Sequence, residues 1–138
     1  MKKKVERNYL EINSLKELNY SDINPENFHI ELVEPVNFQL NKFFYKSIGK
    51  KHNWVDRLTW SENQWIKYTS NTKVKTYILK NKDDLAGYFE LIIHTDKGEV
   101  EIAYLGLLEE FHNKKLGSYL LTLAIKNSFL EEPKRVWV

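Results

Sequence analysis

Apolar and polar residues change their spacing several times along this chain, and each change marks a different kind of element. Tyr9–Ile12 reads as a short strand, and Phe28–Val33 alternates apolar with polar positions, as a strand buried on one face does. The period then lengthens. After Pro35, residues Val36, Leu40, Phe43, Phe44 and Ile48 recur at spacings of three and four, which predicts a helix, with Gly49 as its stop. Ser61 and Gln64 have the spacing of a capping box, in which each side chain serves the other residue's backbone N–H. Trp65, Ile66 and Tyr68 follow on a short second helix.

From Lys73 the spacing becomes that of strands. Val74–Leu79 and Ala86–His94 are joined by a turn at Asn81–Asp84. Asp96–Gly98 closes a second hairpin, where glycine supplies the positive φ of a tight turn. Val100–Leu108 is a third strand, nearly continuous in apolar residues towards its end, as strands covered on both faces are. Leu116, Tyr119, Leu120, Leu123 and Ala124 then form a helical stripe, widened by Leu121 and Ile125. Pro133 ends it, and Arg135–Val138 begins another β-type run. The last strand–helix–strand unit is expected to be a right-handed parallel crossover. The fold class this predicts is α+β, in three α/β/α layers.

Composition narrows the picture. A chain of 138 residues, 42% hydrophobic and 29% charged, is expected to form one domain over residues 1–138 with one core. It contains no cysteine, so disulfides and thiolate–metal sites are excluded. No apolar run follows the basic start Lys2–Lys4, and no stretch of about 18 apolar residues occurs, so neither a signal peptide nor a membrane contact is expected, and the location is read as cytoplasmic. A net charge of +2 gives no electrostatic case for nucleic acid. The four tryptophans are expected in the core, with Trp54, Trp60 and Trp65 close enough in sequence to line a pocket instead.

Candidate chemistry lies where the third strand passes into the last helix, over Ile102–Leu121. A buried strand ends, a polar loop follows, and a helix opens beside Gly117. The first N–H groups of a helix have no internal partners and its dipole favours negative charge there, so such a turn suits a pyrophosphate. Gly117 lets backbone approach closely, and Lys114 and Lys115 add positive charge.

These residues resemble the acetyl-CoA motif of the GNAT (GCN5-related N-acetyltransferase) superfamily: an apolar strand, then Glu109, Glu110 and the aromatic Phe111, then His112–Gly117. Leu85–Glu90 and Glu99–Leu107 are similar to the two strands that precede that motif. The family's Arg/Gln position is held here by His112 and its first Gly position by Lys115, while Gly117 is kept. The resemblance implies a GNAT-like mixed, mainly antiparallel sheet flanked by helices, with a C-terminal part missing after Val138. The tyrosine that protonates the departing thiolate in the family is expected in that missing part.

It further implies an acetyl-CoA-dependent N-acetyltransferase, using acyl-CoA and a small-molecule or peptide amine, with no metal and with a homodimer as one allowed arrangement. Leu105, Leu107 and Leu108 would meet the pantetheine and thioester through their backbone. His112, Asn113, Lys114, Lys115, Leu116, Gly117 and Ser118 would hold the phosphates. Glu101, with Glu90 as the alternative, would take the amine's proton. His94 reads as a surface histidine. The other reading is a non-catalytic domain of the same fold that binds acyl-CoA or a partner protein.

Overall fold

The alternating segments pair into one sheet, seen in a computed structural model that describes residues 11–12 and 25–138. Its elements in chain order are β1 (Glu11–Ile12), β2 (Phe28–Leu32), α1 (Phe38–His52), α2 (Glu62–Ser70), β3 (Val74–Asn81), β4 (Asp84–His94), β5 (Glu99–Leu107), α3 (Lys114–Phe129) and β6 (Arg135–Trp137). The strand order is β1-β6-β5-β4-β3-β2, all antiparallel except the β5–β6 pair, which the α3 crossover makes parallel. The sequence expectation of an α+β, three-layer fold holds. Residues Tyr9 and Leu10 of the expected first strand lie outside the described residues. No helix among the described residues is long and apolar enough to cross a membrane.

The period-two pattern of β3–β5 sorts side chains to the two faces. Ile78 and Tyr88 join Phe44 and Ile48 of α1 in one buried cluster. Leu79, Phe89, Leu91, Val100, Ile102 and Leu107 meet Leu120, Ala124 and Ile125 of α3 in the other. Phe44 stacks on Tyr88 with ring centroids 4.7 Å apart, tying α1 to the middle of the sheet.

Local signals explain most element ends. The capping box of α2 is formed in both directions: Ser61 N–H donates to Gln64 Oε1 at 2.7 Å and Gln64 N–H to Ser61 Oγ at 3.2 Å. Lys82 and Gly98 take positive φ in the two hairpin turns. The limits of α1 correct the sequence reading. It begins after Asn37, whose side chain caps it, leaving Val36 outside and exposed. It also runs past Gly49 to His52, and the left-handed residue that ends it is Asn53, with φ of 58°. Gly49 is needed for a tertiary reason: a Cβ there would lie 2.8 Å from Trp54 Cβ, where the chain folds back over the helix.

The register of β4 and β5 has one irregularity. Glu90 pairs with Tyr104 and Leu91 with Ile102, so Ala103 is an extra residue in β5. Such a bulge bends the strand and increases its local twist.

Candidate functional site

The bulge lies two residues beyond the part of β5 that pairs with β6. Pairing with β6 covers Glu99–Glu101, opposite Arg135–Trp137. Beyond that, no described strand lies against this edge. On the β4 side, Leu108 N–H donates to Ala86 O at 2.8 Å, two residues on from the Tyr88–Gly106 pair. Antiparallel bonding alternates, so Leu105 and Leu107 turn their N–H and C=O groups to the open edge. Leu107 O is taken by His112 Nε2 at 3.0 Å. The Leu107 N–H and both groups of Leu105 remain without partners among the described residues. Leu108, expected to offer its N–H there, cannot do so, because that N–H is spent on Ala86.

The open edge leads to the N-terminus of α3. Glu109–Phe111 form a single 3-10 turn, after which Asn113 caps the helix, its Oδ1 accepting Lys115 N–H at 2.9 Å and its carbonyl accepting Gly117 N–H at 2.9 Å. The helix therefore opens at Lys114, and Gly117 lies in its first turn. The N–H of Leu116 has no partner among the described residues, and the dipole leaves this end partly positive. A Cβ built on Gly117 meets nothing within 4 Å, so nothing in the packing of the described residues calls for glycine there. Lys115 is ordinary helical backbone with its side chain exposed. Ser118 is exposed too, and its carbonyl accepts from the Thr122 hydroxyl at 2.9 Å.

His112 was expected to meet phosphate, and its ring is instead bonded at both nitrogens. A carbonyl only accepts, so Nε2 carries the proton, and the Nδ1 lone pair faces Lys51 Nζ at 3.2 Å.

Glu90 is enclosed in the other layer. Its side chain is fully buried under α1, α2 and the loop between them. Oε1 accepts from Arg57 Nη1 at 2.8 Å and from the Tyr68 hydroxyl at 2.7 Å, and Oε2 accepts from Asn41 Nδ2 at 2.9 Å. The same Asn41 Nδ2 donates to Thr76 Oγ1 at 2.8 Å. Arg57 lies within an aromatic box, 4.2 Å from the Tyr68 centroid, 4.3 Å from Tyr104 and 4.7 Å from Trp60. Burial opposes the charge on the guanidinium, but the Glu90 carboxylate more than offsets this and holds its pKa above the ordinary arginine value. Burial, followed by the same carboxylate, also raises the Tyr68 hydroxyl well above the ordinary tyrosine range. This is a closed, satisfied ion pair, and Glu90 is out of reach of a substrate.

Glu101 is different. It lies on β5, two residues before the bulge, and its carboxylate is partly exposed and 3.0 Å from His94 Nε2. The His94 ring in turn stacks on Trp137, with centroids 6.1 Å apart. His94 is thus half-buried in a cluster on the face that also carries Tyr104, rather than free on the surface.

A family model described as the acetyltransferase (GNAT) family matches residues 35–138, which includes the bulged strand, the loop and α3. The chain belongs to the GNAT acetyltransferase family. Among curated proteins none matches its sequence. Solved structures with the GNAT fold superpose on most of it. A GCN5-related N-acetyltransferase from Kribbella flavida has a TM-score of 0.64 at 13% identity, covering 94% of this chain and 46% of that one. An aminoglycoside acetyltransferase from an uncultured soil metagenomic sample has 0.60 at 8% identity, covering 77% and 72%. The ribosomal-protein-S18-alanine N-acetyltransferase of Escherichia coli has 0.54 at 13% identity, covering 72% and 58%. The chain therefore spans less than half the length of the first of these. At such identities the likeness is one of fold.

The structure of this GNAT chain brings together the β5–α3 loop and the edge of β5, and it encloses Glu90 while leaving Glu101 partly exposed. Sequence reading missed Arg57, Tyr68, Lys51 and the part played by His94. Each acts through a partner distant in sequence, as Arg57 does through Glu90 across 33 positions. The nearest thing to a signal was an arginine among three tryptophans.

Proposed function

We propose that the protein is an acetyl-CoA-dependent N-acetyltransferase whose acceptor is the primary amine of a small molecule or peptide. One juxtaposition supports this reading more than any other. Among the described residues, the edge at Leu105–Leu107 has no partner strand and leads to a helix end where Gly117 leaves unfilled space. An extended pantetheine arm fits the first and a pyrophosphate fits the second.

Acetyl-CoA would supply the activated acyl group. The backbone of Leu105 and the Leu107 N–H would pair with the pantetheine as a neighbouring strand does, with an edge N–H polarising the thioester carbonyl. The unpaired Leu116 N–H and the partly positive first turn of α3, with Lys115, Gly117 and Ser118 around it, would hold the pyrophosphate, while Asn113 caps the turn. The amine must be neutral to attack. Glu101, the partly exposed carboxylate of β5, would take its proton, directly or through one water. The amine nitrogen then bonds to the carbonyl carbon, the carbon–sulfur bond breaks, and the CoA thiolate takes up a proton. The absence of cysteine agrees with direct attack rather than an acyl-cysteine intermediate. Among the fold's neighbours, the aminoglycoside enzyme and the ribosomal-protein-S18-alanine enzyme keep both small-molecule and peptide acceptors in view. A cytoplasmic location belongs to the same proposal.

The test is release of free CoA thiol from acetyl-CoA with a panel of primary amines. Amine-dependent release supports the reading. Binding of acetyl-CoA without release for polyamines, aminoglycosides and N-terminal peptides alike would favour a binding domain instead.

A further inference from the structure

The last turn of α1 carries Lys50, Lys51 and His52 and rises beside the β5–α3 loop from the side of the sheet opposite α3. Cations at a helix C-terminus offset its partial negative charge, and that accounts for Lys50. Lys51 does something more. Its Nζ reaches His112 Nδ1 at 3.2 Å, and the other nitrogen of that ring is fixed to Leu107 O at 3.0 Å. The ring is a bracket. It anchors on the open edge of β5 and holds an ammonium one residue before Asn113, the cap of α3.

An ammonium has three N–H donors, and the imidazole nitrogen takes one. Among the described residues Lys51 has no carboxylate partner, although Glu109 and Glu110 stand on the same loop. A solvent-exposed contact between an ammonium and a neutral imidazole contributes little alone. It does fix a full positive charge beside a helix end that offers only partial charges and whose first turn has unfilled space at Gly117. Lys115 lies on that first turn. The two lysines stand on helices that cover opposite faces of the sheet.

We infer that Lys51, positioned by His112, binds the pyrophosphate of the CoA substrate. The inference rests on the acetyl-CoA reading above and adds to it a residue from a helix outside the strand–loop–helix segment. His112 is then a positioning residue that acts through Lys51.

Titration calorimetry with CoA and with 3′-dephospho-CoA, which keeps the pyrophosphate and lacks the 3′-phosphate, tests it. Lys51→Ala should weaken both ligands on the order of ten-fold, the loss expected for one charge-assisted hydrogen bond. Lys50→Ala should change either by less than about two-fold, as an exposed charge that touches no ligand does. In a His112→Ala background Lys51→Ala should cost clearly less, because the bracket is gone. The wild-type affinity should also fall more steeply with salt than that of Lys51→Ala. Unchanged affinity of Lys51→Ala for both ligands overturns the inference. A loss for CoA but not for 3′-dephospho-CoA also overturns it, since it moves Lys51 to the 3′-phosphate. A folded wild-type protein that binds neither ligand at millimolar concentration refutes the cofactor reading itself, a separate result.

Discussion

Gly117 is a position where stability and ligand binding make opposite demands. In the first turn of α3 glycine adds unfolded-state entropy and fills no space, so Gly117→Ala should raise the stability of the free protein by roughly 0.5 kcal/mol. The same methyl should weaken acetyl-CoA binding if the phosphates rest on this backbone. Melting curves with and without acetyl-CoA read both effects at once, and a variant that gains in both would place the ligand elsewhere. The two glutamates divide in a comparable way. Glu90→Gln leaves Arg57 buried without its counter-charge and should cost about 3–5 kcal/mol in urea denaturation, with much of that recovered when Arg57→Met is added. Glu101→Gln, at a partly exposed site, should change stability by less than about 0.5 kcal/mol while slowing thiol release. Loss of stability without loss of rate at Glu101 would remove it from the mechanism.

At the scale of elements, what could be read in advance was what is local. The capping box of α2 and the turn at Gly98 are each specified within four residues, and both are formed. The end of α1 was misplaced because glycine serves two purposes: at Gly49 it admits the Trp54 ring, while Asn53 takes the left-handed conformation. The bulge at Ala103 has no local mark, since it arises from the pairing of β4 with β5. The helix end at α3 is local again. Asn113→Ala removes its cap and should cost about 1 kcal/mol, measurable by urea titration. The contact of α1 with the sheet should be less forgiving. A Cβ at Gly106 would stand 2.6 Å from Ile48 Cγ2, so Gly106→Ala should cost about 1–3 kcal/mol by pushing the helix off β5. A neutral result there would mean α1 is less tightly seated than the structure shows.

For the molecule as a whole, the aromatic layer around Arg57 sets the response to alkali. Burial pushes the Tyr104 hydroxyl up to about 12, and it raises Tyr68 and Tyr88 beyond the ordinary range, with the Glu90 carboxylate as the next cause for those two. A raised pKa in the folded state means that the native protein holds protons the unfolded chain has released. Stability is therefore intact below about pH 10, the ordinary tyrosine value, and declines as the pH climbs from there towards 12. Phenolate absorbance should show these tyrosines ionising only as the fold is lost. Early ionisation of all the tyrosines in the folded protein would contradict the closed layer. The account stands on the claim that acetyl-CoA occupies the space between Leu105–Leu107 and Gly117. Titration calorimetry of acetyl-CoA into the wild-type protein and into Gly117→Leu measures that claim most directly. Saturable one-to-one binding by the wild-type, abolished in a Gly117→Leu variant that melts no lower, is the predicted result. Equal binding by the two proteins would contradict it.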